Sequence, residues 1–164
     1  MQHILMALVE DKPGVLNRVT SLFRRRAFNI ESLTVGRTSE DGVSRMTMVI
    51  ECDQRGAERV TEYLYKLVNV IYIETVNHEP VVARDLALVK VATSGDNRQA
   101  LLRVVDETRA HIVDAGEQTM TVEITGEVQH VDSVIARLQV LGISEMVRTG
   151  RVAMRRGDTA LTTD

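Results

Sequence analysis

The predicted strands and helices follow the same order in both halves of the chain, and this repetition limits the folds available to it. Residues 3–9 are a continuous apolar run of strand length. The apolar residues between 15 and 23 recur at the spacing of one helix face. The elements predicted for the first half are strands at 3–9, 30–38, 44–52 and 68–76, and helices around 15–26 and 57–67.

The second half repeats this order after Asn77-His78-Glu79-Pro80, which we interpret as a linker because the residue before a proline is disfavoured in a helix. The predicted elements are strands at 86–92, 111–114 and 120–125, helices at 98–108 and 128–138, and a last extended segment at 143–153. The polar residues 158–164 predict a frayed end. The domain boundaries are therefore placed at 1–78 and 79–164.

The order strand-helix-strand-strand-helix-strand is typical of the ferredoxin-like βαββαβ fold, in which both helices cover one face of an antiparallel sheet. We predict an α+β protein with two such domains. The other sheet face is rich in Met, Val and Ile and would be exposed to water unless it is covered. We expect partner subunits or the other half of the chain to cover it. The second strand lies at the sheet edge in this fold, and residues 32–38 carry no proline or lysine. Such an edge favours pairing with a second copy of the chain, so a homodimer is expected.

The composition argues against several classes of protein. The chain has 20 Lys plus Arg, 23 Asp plus Glu and a net charge of -3, and only 3% of its residues are aromatic. A nucleic-acid binder usually has a basic excess and stacking aromatics. The single cysteine, Cys52, forbids an intrachain disulfide and fits a reducing cytosol. We expect no membrane segment, no signal peptide and a cytoplasmic location.

The sequence contains no recognisable catalytic or metal-binding pattern. The four histidines are scattered, and phosphate-loop, dinucleotide-binding and serine-elbow motifs are missing. Cys52 is in phase with Met46 and Met48, which indicates a small buried hydrophobe rather than a nucleophile. Arg24-Arg25-Arg26 is interpreted as a helix end that complements the helix dipole, in preference to an anion site. No catalytic residue and no metal ligand is predicted.

The loop from Glu10 to Leu16 carries the strongest indication of ligand binding. Gly14 would let a ligand approach the backbone, and the N–H groups of Gly14, Val15 and Leu16 would start a helix and point outward. Asp11 could pair with an ammonium group, so the loop matches the carboxylate and ammonium of an α-amino acid. From the loop alone, an ordinary helix start remains the favoured interpretation. An edge-to-edge dimer would bring Asn29 of one chain toward the loop of the other.

Longer segments resemble a known family. Residues 9–16 (VEDKPGVL) resemble the signature of ACT domains, small modules that bind amino acids and regulate metabolic enzymes. Residues 28–35 (FNIESLTV) and 44–47 (SRMT) resemble the regulatory small subunit of acetolactate synthase, also called acetohydroxyacid synthase. The resemblance continues at 88–91 and 148–151. It implies that Asp11, Gly14, Val15 and Leu16 hold a branched-chain amino acid, typically valine, and that Asn29 and Ile30 close the pocket from the neighbouring chain.

The resemblance also implies a function without catalysis in this chain. The family's small subunits bind a catalytic large subunit, raise its activity and make it sensitive to feedback inhibition in valine, leucine and isoleucine synthesis. Thiamine diphosphate, Mg²⁺ and FAD would belong to that partner.

Two alternative functions stay open, an acylphosphatase-like enzyme and a stand-alone amino-acid-sensing ACT regulator. The former would need an arginine in the first loop, which offers only Lys12. A nucleic-acid module of the same topology would need aromatic residues on its sheet.

Overall fold

The structure is a computed structural model that describes residues 1–76, 80–95, 97–158 and 160–162. Within these residues the strands are β1 (Gln2–Glu10), β2 (Ile30–Arg37), β3 (Val43–Glu51), β4 (Val70–Thr75), β5 (Val81–Ala92), β6 (His111–Ala115), β7 (Thr119–Gly126), β8 (Ile143–Arg148) and β9 (Val152–Arg155). The helices are α1 (Val15–Arg25), α2 (Gln54–Tyr65), α3 (Asn97–Thr108) and α4 (Val128–Gln139). The chain divides into two compact units, residues 1–82 with 150–164, and residues 83–149.

The first unit contains an antiparallel sheet in the order β2-β3-β1-β4. The central strand β1 pairs with β3 along its whole length, from Gln2 opposite Glu51 to Glu10 opposite Val43. The helices α1 and α2 follow β1 and β3 in the chain, so the predicted βαββαβ order is confirmed. The strand β2 lies at the sheet edge, as predicted.

One face of this sheet packs against both helices. Leu5, Ala7 and Val9 alternate along β1 and enter the same buried cluster as the apolar residues of the helices. The helical members of this cluster are Val15, Val19, Leu22 and Phe23 from α1 and Val60 and Leu64 from α2. The helix α2 starts at Asp53, whose carboxylate accepts a hydrogen bond from the Gly56 N–H at 2.7 Å, which satisfies one of the free donors of its first turn.

The opposite face of the sheet is covered in part by residues 150–158, which we call the C-terminal segment. The Arg45 guanidinium donates to the Ala153 carbonyl at 2.7 Å, and the Arg151 N–H donates to the Ser32 hydroxyl at 2.9 Å. Arg155 forms an ion pair with Glu74 of β4. The sequence predicted that a partner or the other half would cover this face. The C-terminal segment does come from the predicted second half, 79–164, but in the structure it is part of the first unit.

This segment also changes the predicted end of the chain. The expected second domain ran from 79 to 164 with one extended segment at 143–153, but β8 ends at Arg148 and β9 is a separate strand that pairs with β5. Gly150 lies between them and close to β2, since a Cβ on it would lie 2.6 Å from the Ser32 hydroxyl oxygen and 3.0 Å from the Leu33 carbonyl carbon. Only glycine lets the chain pass so close to β2. The predicted linker residues 77–79 lie outside the described residues.

The second unit has the same design. Its strands are antiparallel in the order β6-β7-β5-β8, and its chain order is again strand-helix-strand-strand-helix-strand. Residues Ala87, Val89 and Val91 of β5 share a buried cluster with one face of each helix. The cluster also contains Leu101 and Val104 from α3, and Val131, Val134 and Leu138 from α4. The predicted fold of two α+β ferredoxin-like units is therefore confirmed.

Candidate functional site

The loop between β1 and α1 is held by backbone hydrogen bonds on both sides. The Asp11 N–H donates to the Gly42 carbonyl at 2.7 Å, and the Lys12 N–H donates to the Glu10 carbonyl at 2.9 Å. The Arg18 N–H donates to the Gly14 carbonyl at 3.0 Å and so begins the helical pattern. The loop is therefore a fixed platform rather than a loose connection.

Gly14 is the N-cap of α1 and lies at φ 86°, in the left-handed region that favours glycine. A Cβ built on it would meet no heavy atom within 4 Å, so the space beside it is open. The Val15 N–H is bound by the Lys12 carbonyl at 3.3 Å. Among the described residues, no acceptor faces the N–H groups of Leu16 and Asn17, which leaves donors of the first turn available to an anion.

The side chains that follow Gly14 point in different directions. Val15 is 4% exposed and belongs to the core, so it can contact a ligand only through its backbone. Leu16, which the sequence placed on the apolar stripe of α1, is instead 45% exposed. An exposed leucine beside free N–H groups offers an apolar surface to a ligand's side chain.

Asp11 already has a cationic partner. The Arg37 Nε lies 3.2 Å from the Asp11 Oδ2, and the two side chains are 87% and 41% exposed. An exposed pair of this kind contributes only about 0–1 kcal/mol, so an incoming ammonium group can replace it. Arg37 was not predicted from the sequence, because its approach to Asp11 depends on how β2 pairs with β3.

A second group of polar side chains connects the loop to α1 and to the residue before β4. The Glu10 carboxylate accepts from the Lys12 ammonium at 3.0 Å and from the Asn69 amide, whose oxygen accepts from Arg18. The hydrogen bond from Lys12, followed by the one from Asn69, lowers the pKa of Glu10. These contacts connect the end of β1 to α1 and to the residue before β4, and none of them was predicted from the sequence.

Asn29 and Ile30 lie at the other end of the sheet. Ile30 pairs with Ile50, which pairs with His3, seven residues before Glu10 in β1. Seven residues of strand span about 23 Å. Within one chain the structure therefore does not bring Asn29 to the Gly14 loop.

The described residues also bear on metal binding, thiol reactivity and membrane crossing. No three His, Cys, Asp or Glu side chains there are grouped closely enough to hold a metal ion. Cys52 packs against the core of the first unit, and burial is the largest of the effects that raise the pKa of its thiol. No helix among these residues combines the length and apolar character that crossing a membrane requires.

Sequence comparisons match both halves of the chain to known domain families. Residues 5–72 match the AHAS small subunit-like ACT domain, and residues 84–157 match the small subunit of acetolactate synthase. Residues 5–72 of the first unit, which include the open Gly14 loop, therefore form an ACT domain.

Full-length relatives extend this match over nearly the whole chain. A probable acetolactate synthase small subunit from Archaeoglobus fulgidus is 44% identical over 158 residues, which are 96% of this chain and 99% of that protein. The acetolactate synthase small subunit of Mycolicibacterium smegmatis is 42% identical and covers 94% of this chain and 91% of its own.

A solved structure agrees with these sequences. The acetolactate synthase small subunit from Thermotoga maritima superposes with a TM-score of 0.90 at 35% identity, covering 97% of this chain and 99% of that one. The chain belongs to the acetolactate synthase small-subunit family.

Proposed function

We propose that this chain is a regulatory subunit that binds the catalytic large subunit of acetolactate synthase, raises its activity and confers feedback inhibition by valine. The family of the chain supports a role beside a large subunit. The observation that carries the regulatory part is the open, left-handed Gly14 at the start of α1, with Asp11 next to it. In this proposal the chain itself performs no catalysis.

The loop can recognise the two charged groups of an α-amino acid. The carboxylate accepts hydrogen bonds from the free N–H groups at the start of α1, where the helix dipole also favours negative charge. The ammonium group takes the place of Arg37 beside the Asp11 carboxylate. The exposed Leu16 then contacts the branched side chain, so the effector is a branched-chain amino acid.

A homodimer through β2 completes the pocket. The edge strand β2 has no partner on its outer side among the described residues, and it runs from Ile30 to Arg37. Two antiparallel copies of this strand, paired about its middle, place Ile30 of one chain opposite Arg37 of the other. Asn29 of the second copy then approaches Asp11, which it cannot reach within its own chain.

The thiamine diphosphate, Mg²⁺ and FAD of the reaction belong, in this proposal, to the catalytic subunit, and the complex works in the cytoplasm. The contribution of this chain is to bind that subunit and to transmit the presence of valine. Its own residues hold the effector and the interface between the two copies.

Reconstitution with the catalytic subunit from the same organism tests the proposal. Addition of this chain is expected to raise the rate of acetolactate formation and to make that rate fall with added valine. Valine at 100 times its Kd should also stabilise the isolated chain by about 2.7 kcal/mol, seen as a rise in Tm. A rate that responds neither to this chain nor to valine in its presence contradicts the proposal.

A further inference from the structure

The C-terminal ends of α1 and α2 surround a cavity of about 550 Å³. The residues that line it are Leu22, Arg25, Arg26, Tyr63, Lys66 and Leu67. The Arg26 guanidinium carbon lies 4.1 Å from the centroid of the Tyr63 ring, and the Lys66 ammonium nitrogen lies 5.8 Å from it. The aromatic ring therefore holds two cations at the edge of the cavity.

The positive charge of this cavity is not balanced locally. Among the described residues, no carboxylate lines the cavity and no ion pair is formed by Arg25, Arg26 or Lys66. Glu62 of α2 lines a neighbouring depression together with Lys66 but makes no ion pair with it. The dipole of α1 favours a cation at this helix end, yet it does not account for three around one cavity in a chain of net charge -3.

We infer that this cavity docks an acidic segment of the catalytic subunit, with its carboxylates on Arg25 and Lys66 and an apolar side chain between Leu22 and Leu67. The inference rests on the proposed function. Guanidinium and ammonium groups bind carboxylates by charge-assisted hydrogen bonds. A nucleotide fits less well, because Arg26 and Lys66 already occupy the Tyr63 ring that a base would stack on.

The position of the cavity also favours the catalytic partner. The other face of the first unit's sheet is covered in part by the C-terminal segment, and the β2 edge is assigned to the second copy. On the helix side, Arg25, Arg26 and Lys66 are exposed. The helix α1 has 11 residues and is therefore about 16 Å long. It begins at the Gly14 loop and ends at this cavity, so the effector and the catalytic subunit meet opposite ends of one helix.

Two double variants of equal charge change test the inference. Arg25→Glu/Lys66→Glu reverses the charge of the cavity and spares the Arg26–Tyr63 contact. Arg98→Glu/Arg103→Glu reverses two exposed arginines of α3 and is the matched control. Binding of each full-length protein to the catalytic subunit is measured by titration at low and at physiological salt, and the Tm with and without valine reports folding and effector binding.

The cavity variant is expected to bind the catalytic subunit at least about tenfold more weakly, with a smaller salt dependence, while Arg25→Lys keeps wild-type affinity. The valine-dependent rise in Tm of the Arg25→Glu/Lys66→Glu variant should equal that of the wild type. Equal weakening in both double variants, or unchanged affinity of the cavity variant, overturns the inference and leaves the proposed function intact. A rise in Tm with ATP or tripolyphosphate that needs Arg25 and Lys66, without any loss of subunit binding, also overturns it. If the wild type itself does not bind the catalytic subunit, the proposed function fails as well.

Discussion

At the scale of single residues, Gly14 has two separate roles that substitutions can divide. Its φ of 86° strains most other residues, and the open space beside it leaves room for a ligand. Asparagine and aspartate tolerate positive φ better than other residues and have the same size. The two therefore differ at this position mainly in charge.

Gly14→Asp is expected to abolish inhibition by valine while the chain still folds and activates the catalytic subunit. Two negative charges in contact near a surface cost about 4 kcal/mol, or roughly a thousandfold in affinity. Gly14→Asn, the neutral control, should lose much less. The measurement is the valine concentration for half-inhibition in the reconstituted enzyme, and wild-type sensitivity of Gly14→Asp would refute the site.

Arg37 competes with the effector for Asp11 in our proposal. Arg37→Gln should therefore strengthen valine binding by about two- to fivefold, the equivalent of an exposed ion pair that no longer has to be displaced. Calorimetric titration of the variant and of the control Arg98→Gln measures this, and added salt should reduce the difference. Weaker binding by Arg37→Gln would show that Arg37 helps to hold the ligand.

Glu10 makes the stability of this region depend on pH. Its pKa is lowered in the folded chain, so its ionised form contributes stability above its unfolded pKa of about 4.3, and this contribution is lost as the pH falls through the folded pKa. The difference in free energy of unfolding between wild type and Glu10→Gln should be constant from about pH 6 to 8 and shrink toward about pH 3. Urea denaturation across this range measures the difference. A value that does not change with pH would exclude an important role for the Glu10 contacts.

At the scale of secondary-structure elements, the edge strand β2 separates the residues of the proposed pocket and can reunite them only between two chains. Its first residue, Ile30, lies opposite Ile50, and its last residue, Arg37, lies opposite Ser44 and reaches the Asp11 carboxylate. The two ends of the strand therefore belong to different pockets of the proposed dimer.

Asn29→Ala is expected to weaken valine binding by about ten- to a hundredfold, the contribution of a hydrogen bond to a charged group. A mixed dimer with Gly14→Asp on one chain and Asn29→Ala on the other locates the pocket. If the pocket is shared, both substitutions fall in one site, and calorimetry of the purified mixed dimer shows half of the sites at normal affinity. A mixed dimer without any normal site would contradict the shared pocket.

Local patterns account for most of the elements but not for the contacts between them. The continuous apolar run of β1, the alternation in β3 and the apolar stripe of α1 are visible in consecutive residues, so these elements were predictable. The Arg37–Asp11 pair and the Glu10–Asn69 contact depend on strand register and on turns, which no short pattern determines. The Gly14 loop was recognisable because a single continuous segment carries it.

At the scale of the whole molecule, the first unit is assembled from two distant parts of the chain. The hydrogen bond from the Arg151 N–H to the Ser32 hydroxyl joins residues 119 positions apart. Patterns among neighbouring residues do not place 150–158 against β2, which is why the prediction from the sequence assigned this segment to the second domain.

Gly150→Ala tests how tightly the two parts fit. The added methyl group would collide with the Thr34 and Ser32 hydroxyl groups and with the backbone of Leu33, so a loss of about 1–3 kcal/mol in the free energy of unfolding is expected. Gly36→Ala in β2, where a Cβ meets nothing within 4 Å, is the matched control. Urea denaturation gives both values, and equal stability of the two variants would refute the close packing. Hydrogen exchange should show faster exchange in β2 for Gly150→Ala.

The discontinuous first unit has a consequence for synthesis on the ribosome. Residues 83–149 are contiguous and can fold as soon as they have emerged. The first unit must wait, because residues 150–158, which cover part of its sheet, are translated only after residues 83–149. Residues 1–82 are thus translated before the second unit but completed after it, and during that interval part of the apolar face of their sheet is open to chaperones.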